Sequence, residues 1–81
     1  MVAVTLWGSL SAAAGGARTI EVEAADIRAL FRVLAQRYPG TAPLIARGIA
    51  VSIDGVLYRD TWSKDLPAGA EIFLLPRIAG G

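Results

Sequence analysis

The sequence predicts one α+β domain, a mixed sheet of four to five strands with one main helix packed on one face. Three observations carry that expectation. Strongly apolar runs stand at both extremes of the chain (residues 2–7 and 72–75), one long amphipathic stretch occupies residues 26–38, and shorter alternating runs fill the remainder. An amphipathic helix has one stripe to bury and a sheet has one face to cover, so the two form a two-layer core. A chain of 81 residues is large enough for one such core and no more.

In residues 1–7, Val2, Val4 and Leu6 fall on one face and Ala3, Thr5 and Trp7 on the other. Both faces are apolar enough for a central strand. Residues 8–11 end it, and residues 12–16 form a small-residue connection closed by Gly15-Gly16. Residues 19–23 return as a strand with Ile20 and Val22 inward and Thr19, Glu21 and Glu23 outward, the alternation of a strand with one wet face. Together the two runs form a hairpin with a long connection.

Asp26 suits a helix N-cap, where a carboxylate meets unpaired N–H groups and the positive end of the dipole. Ile27, Leu30, Phe31, Leu34 and Tyr38 then recur at helical spacing, with Val33 widening the stripe and Arg28, Arg32 and Gln36 opposite. That basic face is read first as solvated and second as a site for an acidic partner. Tyr38-Pro39-Gly40 stops the helix, and residues 41–48 form a short connection in which Leu44 and Ile45 plug the core. Ile49, Val51 and Ile53 alternate with Ala50, Ser52 and Asp54. Asp54-Gly55 between apolar runs is the strongest hairpin signal in the chain and favours a type I′ turn. Residues 56–59 make the return strand, residues 60–65 are polar apart from Trp62, and residues 67–70 turn into the last strand. Two very apolar strands at the extremes pair most economically in the middle of the sheet, with the amphipathic strands outside. That is the β-grasp (ubiquitin-like) arrangement.

Composition narrows the function. Apolar residues make up 54% and charged residues 19%, with mean hydropathy +0.51, too apolar for disorder. There is no cysteine and no histidine, so a thiolate nucleophile, an imidazole base and a zinc site of the usual N/S kind are excluded, and no metal site is expected. A net charge of +1 gives no signal for nucleic acid. No apolar run approaches the ~18 residues of a membrane span. Without a leader-like segment or cysteines, the expected location is cytoplasmic.

The remaining candidate chemistry lies at the end of the sequence, Pro76-Arg77-Ile78-Ala79-Gly80-Gly81. The division expected is a domain over residues 1–76 and a flexible Gly-Gly tail over residues 77–81. A Gly-Gly end is, taken alone, a frayed terminus. Immediately after a core strand it instead projects from a defined point, and a glycine backbone enters channels too narrow for side chains. Its reactive group is the terminal α-carboxylate of Gly81.

The element order, the run Leu66-Pro67-Ala68-Gly69-Ala70-Glu71-Ile72 before the last strand, the opening Trp7-Gly8-Ser9-Leu10…Gly15 and the Pro76…Gly80-Gly81 end resemble the MoaD/ThiS family of ubiquitin-like sulfur carriers, most closely the small subunit of molybdopterin synthase. The resemblance spans the whole chain. It departs from the family at residues 9–14, which lack the usual charged residues, and at Asp54, Ala70 and Arg77. The resemblance implies a carrier that is a non-catalytic subunit of a sulfurtransferase complex rather than an enzyme alone. A ubiquitin-activating-type adenylyltransferase, using ATP and magnesium, would convert the Gly81 carboxylate to an acyl-adenylate. A persulfide sulfur donor would then yield a thiocarboxylate, which passes sulfur to a pterin precursor inside the molybdopterin synthase large subunit during molybdenum cofactor biosynthesis. No cofactor would be bound by the carrier itself. Gly80, Ala79, Ile78 and Arg77 would form the tail that enters the partner.

Strand parity also assigns a docking face. If the helix covers Val4, Leu6, Ile72 and Leu74, then Trp7, Phe73 and Leu75 lie on the opposite face as partner-binding residues; burial of Trp7 and Phe73 by the domain's own loops is the alternative. Arg77 is read equally as a partner of an acidic group or as a solvated side chain. Three other functions stay open: a carrier for thiamine thiazole, cysteine or another sulfur-containing product, a ubiquitin-like modifier whose Gly81 ends on a lysine, and a binding module with no tail chemistry.

Overall fold

Period-two alternation at the two ends of the chain produces the two strands on which everything else is laid. The computed structural model describes residues 1–59 and 61–76. Its elements are β1 (Val2–Leu6), α1 (Ser9–Ala13), β2 (Thr19–Val22), α2 (Ile27–Arg37), a 3₁₀ turn (Pro39–Thr41), α3 (Ala42–Arg47), β3 (Ile49–Ile53), β4 (Val56–Tyr58) and β5 (Glu71–Pro76). The sheet order is β2-β1-β5-β3-β4. β1 and β5 run parallel at its centre, with Val4 opposite Ile72 and Leu6 opposite Leu74. The other pairings are antiparallel. The strand order and the placement of the apolar end strands are those of the β-grasp arrangement.

α2 lies against one face. Val2, Val4, Leu6, Ile72 and Leu74 of the central strands are buried together with Ile27, Leu30, Phe31 and Leu34 of the helix. Burying each such side chain stabilises the fold by roughly 1.5–3 kcal/mol before chain entropy is counted. The helix begins where the sequence places it. Asp26 is the N-cap, and its Oδ1 accepts from the Ala29 N–H at 2.8 Å. Two further N–H groups of the first turn are satisfied by a distant loop: Ile27 donates to the Lys64 carbonyl at 3.1 Å and Arg28 to that of Trp62 at 2.9 Å. Helix N-termini expose such donors, which need partners when covered. Trp62, an isolated aromatic in a polar stretch, fixes that loop by packing edge-on against Phe31, with ring centroids 5.1 Å apart.

The turn at Asp54-Gly55 holds as read. Both residues have positive φ, 49° and 88°, and they join Ile53 to its partner Val56, which matches a type I′ hairpin. Two connections differ from the sequence reading. The segment expected to be an irregular small-residue link contains α1, because Leu10 and Ala14, one helical turn apart, are both buried and hold it down. Residues 41–48 contain α3, which starts with Pro43 in its first turn and ends at Gly48, φ 106°. Its Ile45 is buried and Leu44 packs partly against the core. Both helices are too short for a clear period of 3.6, and the contacts that hold them are tertiary. β1, β2 and β4 each stop one residue early, β2 at Val22 rather than residue 23, whereas β5 extends by one residue at each end, to Glu71 and Pro76.

Stability measurements on three variants check this account. Leu74→Ala, at a site with no solvent exposure, is expected to cost about 2–5 kcal/mol, while Phe73→Ala one position earlier costs clearly less and leaves the fold intact. Asp26→Ala removes the cap and is expected to cost about 1 kcal/mol. Each should appear in urea titrations as a lower midpoint with an unchanged slope.

Candidate functional site

A strand sends successive side chains to opposite faces, so burying one set of β1 and β5 residues under α2 turns the other set outward. Thr5 lies opposite Phe73, Phe73 opposite Ser52 and Ser52 opposite Leu57, a row running across four strands. Leu75 stands beside Ala50 in the neighbouring row. Trp7, just beyond β1, is 54% exposed and meets Phe73 in an edge-on contact with centroids 6.4 Å apart. Phe73 and Leu75 are half-buried. The three residues assigned to docking therefore share the face away from the helix, and Trp7 is not covered by the domain's own loops.

Leu57 extends this apolar face and was not singled out in the sequence. It is 46% exposed. The signal was present: a two-residue Asp54-Gly55 turn sets Ile53 against Val56, and one step outward sets Ser52 against Leu57. Only the order of strands, with β3 beside β5, then brings Leu57 into the row with Phe73.

The last described residue of β5, Pro76, pairs with Ile49 of β3 and approaches Gly8, where an added Cβ would stand 3.4 Å from the Pro76 Cγ. Gly8 has φ 57° and ψ −128°, a combination that glycine adopts without strain, and it turns the chain from β1 into α1 beside the end of β5. Pro76 thus leaves the sheet next to Trp7, at the rim of the outer face. Arg77, Ile78, Ala79, Gly80 and Gly81 lie outside the described residues. Beside Trp7 an open groove of ≈ 440 Å³ is lined by Thr5, Leu6, Trp7, Gly8, Ser11 and Arg18. The Ser11 hydroxyl is committed to the Ala17 carbonyl at 2.8 Å, so the Thr5 hydroxyl, the indole and the Arg18 side chain are the groove's offering to a ligand.

Among the described residues, no group of three or more His, Cys, Asp or Glu side chains is placed to hold a metal ion. No described helix is long and apolar enough to cross a membrane. Charged side chains outside the rim have local roles: Arg28 lies 5.9 Å from the Trp62 ring centroid, the Lys64 ammonium 5.3 Å from that of Tyr58, and Arg37 donates to the Glu21 carbonyl at 3.1 Å.

No family model matches the chain, and no curated protein matches it in sequence. Solved structures do match in fold. Small archaeal modifier protein 1 from Methanosarcina acetivorans superposes with a TM-score of 0.80 at 22% identity, over 99% of this chain and 95% of its own. A chain of the Amycolatopsis orientalis BexX/CysO complex matches with a TM-score of 0.75 at 20% identity over 100% of both chains. A Pyrococcus furiosus protein described as a candidate molybdopterin converting factor, subunit 1, matches with a TM-score of 0.73 at 20% identity, over 95% of this chain and 97% of its own. The chain has the β-grasp fold, and shares it with these proteins along almost its whole length.

Proposed function

We propose that this chain is a ubiquitin-like sulfur carrier whose Gly81 carboxylate is the group activated, and that its sulfur goes to molybdopterin as the small subunit of a molybdopterin synthase. The observation that carries the reading is the junction of Pro76 with the outer face. A central strand ends beside the Trp7–Phe73 pair, of which Trp7 is exposed, and Gly80-Gly81 follow within a few residues. A partner that grips Trp7, Phe73 and Leu75 therefore holds the origin of the tail at a fixed distance from its own active site. The molybdopterin assignment is supported by the name of the Pyrococcus furiosus neighbour and by the resemblance in sequence.

The chemistry needs no base from this chain. A carboxylate oxygen of Gly81 attacks the α-phosphorus of ATP in an adenylyltransferase, with magnesium offsetting phosphate charge, and pyrophosphate leaves. The acyl carbon, now attached to a good leaving group, is attacked by a persulfide sulfur and AMP departs. A thiol then cleaves the resulting sulfur–sulfur bond and leaves the thiocarboxylate. The docked domain contributes position, raising the effective concentration of that sulfur at the accepting enzyme. The names of the modifier and CysO neighbours favour two alternatives with the same first step: transfer of Gly81 to a lysine of a target protein, and delivery of sulfur to a different product.

Intact mass tests the reading directly. Incubation with a matched activating enzyme, ATP and a sulfur donor is expected to add ~16 Da, the difference between sulfur and oxygen. Deleting Gly81 withdraws the reacting group by about 3.5 Å, one extended residue, far outside reacting distance. That deletion, and Gly80→Val, are expected to abolish the mass gain while leaving the melting temperature nearly unchanged. A wild-type chain that never gains this mass overturns the carrier reading, and an adduct to lysine in its place supports the modifier. At the docking face, Trp7→Ala and Phe73→Ala are each expected to weaken partner binding by more than ~1 kcal/mol, measured by calorimetry on variants that remain folded.

A further inference from the structure

The two ends of the sheet carry opposite charge. β1 and β5 both finish, and β2 and β3 both begin, at the end from which Pro76 departs. Arg18 stands there beside β1, its carbonyl accepting from the Leu6 N–H at 2.7 Å. Arg47 stands there beside β5, separated by Gly48 from Ile49, the partner of Pro76. Both are exposed. The opposite end gathers five of the seven carboxylates. Glu71 and Asp54 are tied together there, the Glu71 N–H donating to Asp54 Oδ1 at 2.9 Å. Asp26 pairs with Asp65 across a β-bridge, and Glu23 follows the last residue of β2. These five carboxylates outnumber the cations near them, the Arg28 and Lys64 side chains and the Met1 α-ammonium.

We infer that Arg18 and Arg47 form a cationic rim that docks on an acidic surface around the tail channel of the activating adenylyltransferase. The inference rests on the carrier reading and adds the chemistry of the partner's rim. Charge segregated along the axis steers approach, because an acidic surface attracts the end bearing Pro76 and repels the end bearing Glu71, Asp54 and Asp65. The groove beside Trp7 specifies the contact further. A guanidinium next to an indole suits a carboxylate on a short apolar stem, an Asp or Glu side chain of the partner, which Arg can hold through two N–H donors. The rim is continuous with the apolar face through Trp7, so one partner surface covers both.

The test is ATP–pyrophosphate exchange by the adenylyltransferase of the same organism, with this chain as the varied substrate and sodium chloride as the second variable. For the wild type, kcat/KM is expected to fall about tenfold or more between low and high salt, as screening shortens the reach of the rim. Arg18→Glu and Arg47→Glu are each expected to raise KM about tenfold at low salt, with kcat unchanged and the salt dependence flattened. Lys64→Glu alters net charge equally but away from Arg18 and Arg47, beside Tyr58 of the edge strand, and is expected to change KM by less than about twofold, since a distant exposed charge is screened. Melting temperatures check that the variants are folded. Exchange that is insensitive to salt and to both rim variants, or an equal effect of Lys64→Glu, overturns the rim while leaving the carrier reading standing. A wild-type chain that supports no exchange removes the carrier reading and this inference together.

Discussion

The parallel pairing of β1 with β5 is the constraint on which the rest depends. It joins the two extremes of the chain, setting Ala3 against Glu71 and Leu6 against Leu74. A parallel pair cannot be closed by a tight turn and needs a crossover, and here everything between the strands serves as that crossover. The closure entropy of so long a loop is offset by apolar burial on the helix side, where Val4, Ile72 and Leu74 are fully buried. Because the two strands run in the same direction, Trp7 and Pro76 emerge at the same end. The adjacency of aromatic patch and tail origin follows from this pairing and would be lost in an antiparallel one.

The two faces of the sheet are treated unequally: one is filled for stability, and the other carries the residues of the proposed docking site. One face is sealed by α2, whose first turn is held by Asp26 and by carbonyls of the loop containing Trp62 and Lys64. The other face carries Trp7, Phe73, Leu75 and Leu57 with no described helix or strand layered over it. In a domain of this size stability is a small difference between large opposing terms, so leaving aromatic surface uncovered requires the inner face to be filled efficiently. The run of buried Val, Leu and Ile residues on β1, β3 and β5 meets that requirement.

A chain without cysteine or histidine can still take part in acyl chemistry if it presents the acyl group and leaves proton transfer to its partner. Presentation then becomes a problem of geometry. The relevant quantities are where the last strand ends, how the face beside it is gripped, and from which direction the domain arrives. Pro76, the Trp7–Phe73 pair and the charge difference between the ends of the sheet bear on these three in turn.

Element types follow from the residues alone wherever a pattern has a local physical cause. The spacing of Ile27, Leu30, Phe31 and Leu34 dictated the helix, Asp26 its cap, and Asp54-Gly55 a tight hairpin, since each depends on neighbours within a turn or two. The extreme apolarity of residues 2–7 and 72–75 placed those strands at the centre, because only central strands bury both their edges. Parity then separated Trp7, Phe73 and Leu75 from the core. Tertiary structure alone decided the rest. α1 and α3 are too short to reveal themselves by period and exist because Leu10, Ala14 and Ile45 find a core. Leu57 joins the outer face because β3 lies against β5, and Trp62 has a role because a loop distant in sequence closes the helix end. The opposition of Arg18 and Arg47 to Glu71, Asp54 and Asp65 is invisible along the chain, where the charges are interspersed. They separate in space because strand direction sends each turn and strand end to one end of the sheet or the other.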